Sequence, residues 1–127
     1  MKLNIASITD PKSRKEWTDK GYRLPEFDII KMRENTEKNP KWVHFGGGNI
    51  FKIFPAARMQ DLLNRGLAET GIIVGEGFDP EVVEKGYEPF DNMNINVTLK
   101  SDGTVSKEVC ASVAQAMVCT RHRRRTL

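Results

Sequence analysis

Short apolar runs alternate with amphipathic stretches through the middle of the chain. Residues 42–45 (WVHF) are mostly apolar and precede three glycines, which predicts a buried strand that ends in a tight turn. Apolar residues recur at helical spacing over residues 51–65, and Gly66 suits the position just after a helix. Pro55 is expected in or near the first turn, because deeper in the helix it would cost roughly 3 kcal/mol. A second apolar run at residues 71–76 completes a predicted strand-helix-strand unit.

Downstream of this unit the pattern predicts a short helix and then a hairpin. Asp79 followed by Pro80 is typical of a helix start, and Gly86 suits its end. Residues 94–109 predict two strands of alternating pattern joined by a Ser-Asp-Gly-Thr turn. Residues 112–117 are expected to open a further helix, which the basic tail cuts short. This alternation of strands and helices favours an α/β layer fold.

The first forty residues differ in composition from the rest of the chain. They carry 9 basic and 7 acidic side chains, which predicts a charged helical extension before a domain at residues 41–117. Proline at position 11 after an aspartate predicts a helix over residues 11–20. A partial apolar face predicts a second helix over residues 28–37. The alternative is a mobile arm with only nascent helix.

Length and composition limit the function classes. The chain has 127 residues, 39% hydrophobic and 29% charged, which suits one globular domain. No apolar run approaches the roughly 18–20 residues of a membrane-spanning helix, and residues 1–10 lack the apolar core of a signal peptide. Cys110 and Cys119 fit neither a disulfide scaffold nor a metal-ligand spacing, so we expect a cytoplasmic protein without zinc.

The glycines after the first predicted strand carry the candidate chemistry. A dinucleotide site needs glycine where the backbone bends sharply and approaches a pyrophosphate, and it needs a helix N-terminus aimed at that charge. The sequence Gly46-Gly47-Gly48-Asn49 meets this need between a predicted strand and a predicted helix. Phe51 stands where the GxGxxG pattern has its third glycine, so an ordinary glycine-rich turn is the alternative.

An acidic residue after the second predicted strand bears on the choice of dinucleotide. Glu76 is placed to accept hydrogen bonds from the adenosine ribose hydroxyls, and it would repel a phosphate there, which favours NAD over NADP. Asp79 is a second candidate, although the Pro and Glu immediately after it favour a helix cap. Phe78 would either flank the adenine or pack in the core.

These residues resemble a known family, the mannitol dehydrogenase family of long-chain polyol dehydrogenases, which includes hexuronate oxidoreductases. The resemblance is carried by the run His44-Phe45-Gly46-Gly47-Gly48-Asn49-Ile50-Phe51-Lys52, with Ala56, Gln60, Leu62 and Gly66 downstream. Residues 71–79, 94–99, 102–103 and 111–114 resemble later segments of the family. The resemblance covers about residues 21–117. Phenylalanine at the position of Phe51 is ordinary in this family.

The resemblance implies an incomplete Rossmann-like domain from the amino-terminal part of such an enzyme. Family members are much longer, and their catalytic lysine, asparagine and histidine lie in a further helical domain, so no catalytic residue is assigned here and His44 is not expected to be one. The implied cofactor-binding residues are Gly46, Gly47, Gly48, Asn49, Ile50, Phe51, Lys52 and Glu76.

The resemblance also implies hydride transfer between NAD and a sugar acid or sugar alcohol in the full-length family. We expect the chain alone to be inactive. The alternative is a stand-alone nucleotide-binding or protein-interaction module without catalysis. An incomplete sheet leaves an unpaired edge, so self-association is a further expectation.

The net charge of +3 comes from the last ten residues. Residues 1–117 carry 16 basic and 17 acidic side chains (16 − 17 = −1), whereas residues 118–127 add four arginines and no acid. The family pattern stops at Met117, which favours a frameshifted or truncated reading frame over a genuine basic tail. No aromatic side chain accompanies the arginines for base stacking, so we expect no nucleic-acid partner.

Overall fold

The computed structural model describes residues 1–119, so the predicted tail at 118–127 lies outside the described residues from position 120 onward. The helices in this part of the chain are α1 (Ile5–Thr9), α2 (Pro11–Asp19), α3 (Ile29–Lys38), α4 (Asn49–Ile53), α5 (Pro55–Asn64) and α6 (Pro80–Gly86), followed by a 3₁₀ turn at Glu88–Phe90. The strands are β1 (Tyr22–Arg23), β2 (Val43–Phe45), β3 (Ile72–Glu76), β4 (Asn94–Leu99), β5 (Val105–Cys110) and β6 (Val113–Val118). No helix among the described residues is long and apolar enough to cross a membrane.

The strands form two three-stranded sheets. One sheet has the order β2-β3-β6, with all neighbours parallel, and it contains the predicted strand-helix-strand unit. The other has the order β1-β5-β4, in which β4 and β5 form the predicted antiparallel hairpin and β1 runs parallel to β5. Only two residues separate β5 from β6, so the chain passes directly from one sheet into the other. The expected α/β class is confirmed.

The first forty residues pack on this core. The predicted helices at 11–20 and 28–37 are confirmed as α2 and α3, and each of α1 to α3 begins at a side chain that accepts a backbone N–H, namely Asn4, Asp10 and Asp28. Buried residues among these first forty join the same hydrophobic cluster as the strands: Ile8, Trp17, Leu24, Ile29 and Met32. The alternative of a mobile arm is therefore wrong.

Two sequence-based expectations about elements are wrong. Residues 112–117 do not form a helix, because residues 113–117 belong to β6, which pairs with β3. A short apolar run has no periodicity that separates helix from strand, and pairing with a buried neighbour decides. The predicted helix at 51–65 is two helices, because Pro55 starts α5 as its first residue and Phe54 leaves helical geometry with φ −121° and ψ −79°.

The first strand of the parallel sheet is less buried than its sequence predicts. Val43 is 48% exposed and Phe45 is 74% exposed. The reason is position, because β2 is an edge strand of the described sheet and pairs only with β3.

A buried glutamine fixes the junction between the sheets to α5. The side chain of Gln60 is fully buried, and its Nε2 donates to the Val109 carbonyl at 2.7 Å. Its Oε1 accepts from the Ala111 N–H at 2.6 Å. Next to it, the Ser112 hydroxyl donates to the Ala56 carbonyl at 2.7 Å. The second helix after the glycine turn is thus bonded to the segment where the chain changes sheets.

Candidate functional site

The turn between β2 and α4 begins with a glycine that its backbone conformation requires. Gly46 has φ +99°, a region that residues with a Cβ rarely adopt. Its N–H donates to the Gly75 carbonyl at 2.8 Å, and its carbonyl accepts from Nδ1 of His44 at 2.8 Å. The His44 ring also packs on the Phe51 ring, with centroids 4.5 Å apart. His44 therefore links the turn to the first helix after it.

The second glycine is required by packing. A Cβ on Gly47 would lie 2.8 Å from Cγ1 of Val74 and 3.1 Å from the ring and hydroxyl oxygen of Tyr87. The Tyr87 hydroxyl donates to the Gly47 carbonyl at 2.8 Å. Tyr87 is fully buried, and this burial raises its pKa well above the usual value, so the hydroxyl keeps its proton.

The third glycine is required by neither reason. Gly48 has φ −76° and ψ −170°, an extended conformation open to any residue, and a Cβ there would meet nothing within 4 Å. It borders a cleft of about 350 Å³ lined by Gly47, Gly48, Asn49, Lys52, Asp79, Glu81, Val82, Lys85 and Gly86. The space that a side chain would fill is therefore open to this cleft.

The orientation of the Gly48 N–H is set by the bond that Tyr87 makes. The Gly47 carbonyl and the Gly48 N–H belong to one trans peptide plane, so they point in opposite directions. Because the carbonyl points at the buried Tyr87 hydroxyl, the N–H points away from that hydroxyl. Helix α4 comes next, and its first intrahelical bond runs from the Lys52 N–H to the Gly48 carbonyl at 3.2 Å. The preceding N–H groups of the first turn have no intrahelical partner.

Lys52 brings a positive charge to the cleft. Its Nζ lies 4.7 Å from the centre of the Tyr87 ring, and its partial burial lowers its pKa below the usual value. The Lys52 carbonyl accepts from Nδ2 of Asn96 at 3.0 Å, so β4 holds the end of α4 in place. Sequence reasoning missed Tyr87 and Asn96, which lie far along the chain from the turn and carry no local motif.

Glu76, at the end of β3, is directed at the glycine turn. Its Oε1 accepts from the Gly47 N–H at 3.1 Å, and its Oε2 accepts from the N–H groups of Phe78 at 3.1 Å and Asp79 at 3.3 Å. Burial of the carboxyl would raise its pKa, but the three backbone N–H groups favour the anion and hold the pKa of Glu76 below its usual value. Glu76 is therefore a buried anion at neutral pH.

The structure brings the sequence-predicted residues together with two differences. The N–H groups of Gly46 and Gly47 already bond within the protein, so the pyrophosphate donors expected in this turn reduce to those of Gly48 and Asn49 and the first turn of α4. Phe78 is 97% exposed, so packing in the core is wrong for this residue. Asp79 is confirmed as a helix cap, because its Oδ1 accepts from the Glu81 N–H at 3.0 Å.

Comparison with known proteins gives one similar curated sequence and similar solved structures. No protein-family model matches the chain. The chain is 50% identical over 117 residues to D-mannonate oxidoreductase of Thermotoga maritima, and the matched region covers 92% of this chain and 21% of that protein. A Pseudomonas fluorescens mannitol 2-dehydrogenase, solved as a ternary complex with NAD and D-mannitol, matches with a TM-score of 0.76 at 16% identity, over 99% of this chain and 23% of that one. A D-sorbitol dehydrogenase in substrate-free form matches with a TM-score of 0.70 at 17% identity, over 94% and 22%.

These relatives are several times longer than the chain, which spans about a fifth of their length. The likeness to the two solved structures extends over nearly the whole of this chain and concerns the fold. The fold is therefore a partial Rossmann-like α/β domain, as the glycine turn between strand and helix predicts.

Proposed function

We propose that this chain binds NAD at the cleft beside the glycine turn. The premise is its similarity, in sequence and in fold, to the amino-terminal part of the mannitol dehydrogenase family. The observation that carries this proposal is Gly48. Neither its backbone conformation nor its packing needs glycine, yet the missing side chain leaves open space at the cleft. A pyrophosphate that approaches the backbone closely gives a reason for glycine at this position.

The turn and helix α4 supply the contacts for a pyrophosphate. The N–H groups of Gly48, Asn49, Ile50 and Phe51 are the donors, and Gly46 and Gly47 shape the turn that presents them. Lys52 adds a positive charge at the same cleft. This arrangement suits a doubly charged phosphate pair rather than a neutral ligand.

The acidic end of β3 favours NAD over NADP. Glu76 is an anion, and the exposed carboxylate of Asp79 lines the cleft. A carboxylate accepts up to about four hydrogen bonds, and Glu76 uses three, so acceptor capacity remains for a ribose hydroxyl. A phosphate on that ribose would meet like charge. Phe78, which is exposed beside these residues, is available to flank the adenine.

In the whole protein we propose hydride transfer between NAD and a sugar acid or sugar alcohol, and the mannonate oxidoreductase relative favours a sugar acid. The nicotinamide carries the hydride, and we assign no residue described here as the general base. On its own the chain is expected to show no turnover. We also propose that the protein is cytoplasmic. Exposed apolar side chains, among them Phe45 on the edge strand β2 at 74% and Phe54 between α4 and α5 at 64%, favour self-association.

Calorimetric titration with NADH tests the proposed site. Gly48→Trp places a large side chain in the cleft and should abolish binding while leaving the fold intact, because the position is open and its backbone is extended. Leu67→Trp, at a position that is 69% exposed, is the matched control and should bind like the wild type. A folded wild-type chain that binds no NADH, or a Gly48→Trp chain that binds it unchanged, would overturn the proposal.

A further inference from the structure

One side chain contacts both loops that border the cleft. Glu76 Oε1 bonds to the glycine turn at Gly47, and Oε2 bonds to the loop after β3 at Phe78 and Asp79. Glu76 is only 6% exposed as a residue, so water competes little for these bonds. Charged acceptors make stronger hydrogen bonds than neutral ones, so the carboxylate anion joins the two loops more firmly than a neutral side chain would.

The two peptide planes of the turn are each held by side chains. The plane that joins Gly46 to Gly47 is held at its carbonyl by His44 and at its N–H by Glu76. The plane that joins Gly47 to Gly48 is held at its carbonyl by Tyr87. Gly48 lines the cleft, and its N–H points away from the Tyr87 hydroxyl, so the direction of this N–H depends on both planes staying in place.

We propose that Glu76 is a positioning residue that presets the glycine turn for a pyrophosphate, in addition to any contact that it makes with a ribose. This inference rests on the proposed binding of NAD at this cleft. Glycine gives the turn its shape but also many alternative conformations, which would cost entropy to order at the moment of binding. The carboxylate removes that cost in advance by fixing the Gly47 N–H.

The clamp that Glu76 forms between the two loops has a spectroscopic signature that needs no ligand. In a pH titration followed by amide NMR, the Gly47, Phe78 and Asp79 resonances should move together, with a midpoint below the ordinary value of about 4.3 for glutamate. Among the titratable groups near Glu76, Tyr87 keeps its proton across this range, because burial raises its pKa. Independent movement of the Gly47 and Phe78 amides, neither of which belongs to a titratable residue, would overturn the clamp. This measurement uses the wild-type chain, so it does not depend on a variant that folds.

Binding of two ligands separates positioning from a ribose contact. Glu76→Gln keeps the shape of the side chain but loses the anion and turns an NH₂ group toward backbone donors. We expect its affinity to fall at least about tenfold, or roughly 1.4 kcal/mol, both for NADH and for inorganic pyrophosphate, which has no ribose. Glu26→Gln, an exposed glutamate outside the cleft with the same change of charge, should bind both ligands like the wild type.

Each outcome decides between these explanations. A loss of NADH affinity with unchanged pyrophosphate affinity assigns Glu76 to the ribose alone and overturns the positioning role. An equal loss in Glu26→Gln also overturns it, because the effect is then one of net charge. A folded wild-type chain that binds neither ligand overturns the proposed NAD site, and the positioning role with it. Parallel loss of both ligands in Glu76→Gln alone supports the proposal.

Discussion

Substituting alanine at Gly47 and at Gly48 tests whether adjacent glycines of one turn serve different purposes. At Gly47 the new methyl group lies 2.8 Å from Cγ1 of Val74 and 3.1 Å from the Tyr87 ring and hydroxyl oxygen, and both of those side chains are fully buried. Overpacking of this kind typically costs about 1–3 kcal/mol. Displacing Tyr87 also weakens its bond to the Gly47 carbonyl, which adds about 1 kcal/mol. We expect Gly47→Ala to destabilise the chain by about 2–4 kcal/mol, a large part of the roughly 5–15 kcal/mol typical of a domain.

Gly48→Ala is the matched control, because its methyl group meets nothing within 4 Å and its φ is −76°. Its free energy of unfolding should stay within about 0.5 kcal/mol of the wild type. Urea unfolding followed by circular dichroism measures both variants. A Gly47→Ala,Val74→Ala double variant should lose less than the sum of the two single changes, because removing the Val74 methyl groups relieves the contact. Equal stability of Gly47→Ala and Gly48→Ala, or full additivity in the double variant, would refute the packing argument.

Two further predictions concern buried polar side chains. The folded pKa of Glu76 lies below its unfolded value, so its contribution to stability is present above about pH 4.3 and is lost as the pH falls through the folded pKa. Urea midpoints measured from pH 7 to pH 3 should therefore fall less steeply in Glu76→Gln than in the wild type. Parallel curves for the two chains would contradict this. Gln60→Ala leaves the Val109 carbonyl and the Ala111 N–H buried without their partner, so it should lower the free energy of unfolding by about 2–4 kcal/mol. The control Gln115→Ala, at an exposed position, should change the free energy of unfolding by less than about 0.5 kcal/mol. A Gln60→Ala chain as stable as Gln115→Ala would argue against a glutamine-bonded junction between the sheets.

The features that sequence predicts well are those whose cause is local. Asp79 caps α6 and Pro80 opens it because both act on backbone within one turn. The glycine turn between β2 and α4 is likewise a local signal, since Gly46 needs its positive φ whatever packs around it. Pro55 lies in the first turn of a helix, as expected, because proline is tolerated there and not in a helix interior. The sequence pattern does not predict the separate helix α4 before it.

The features that sequence missed depend on contacts between distant residues. The helical expectation for residues 112–117 failed because pairing with β3, more than thirty residues earlier, outweighs local pattern. The role of Tyr87 at the turn depends on a contact with Gly47 across 40 residues of sequence. The sequence indicates Glu76 from its place after the second predicted strand, but the hydrogen bonds of its carboxylate to the turn depend on how β2 and β3 align. None of these can be inferred from neighbours in the chain.

The pairing of β1 with β5 determines when the beginning of the chain can acquire its final structure during synthesis. Tyr22 pairs with Lys107, the Lys107 ammonium donates to the Lys20 carbonyl across 87 residues, and Asp91 accepts from the Ile5 N–H across 86 residues. A ribosome adding about 5–20 residues per second needs on the order of ten seconds to make that much chain. Until then Ile8 and Trp17, both buried in the finished structure, have no sheet to cover them. The nascent chain is thus expected to hold helices α1 and α2 exposed, and available to chaperones, until the hairpin of β4 and β5 leaves the ribosome.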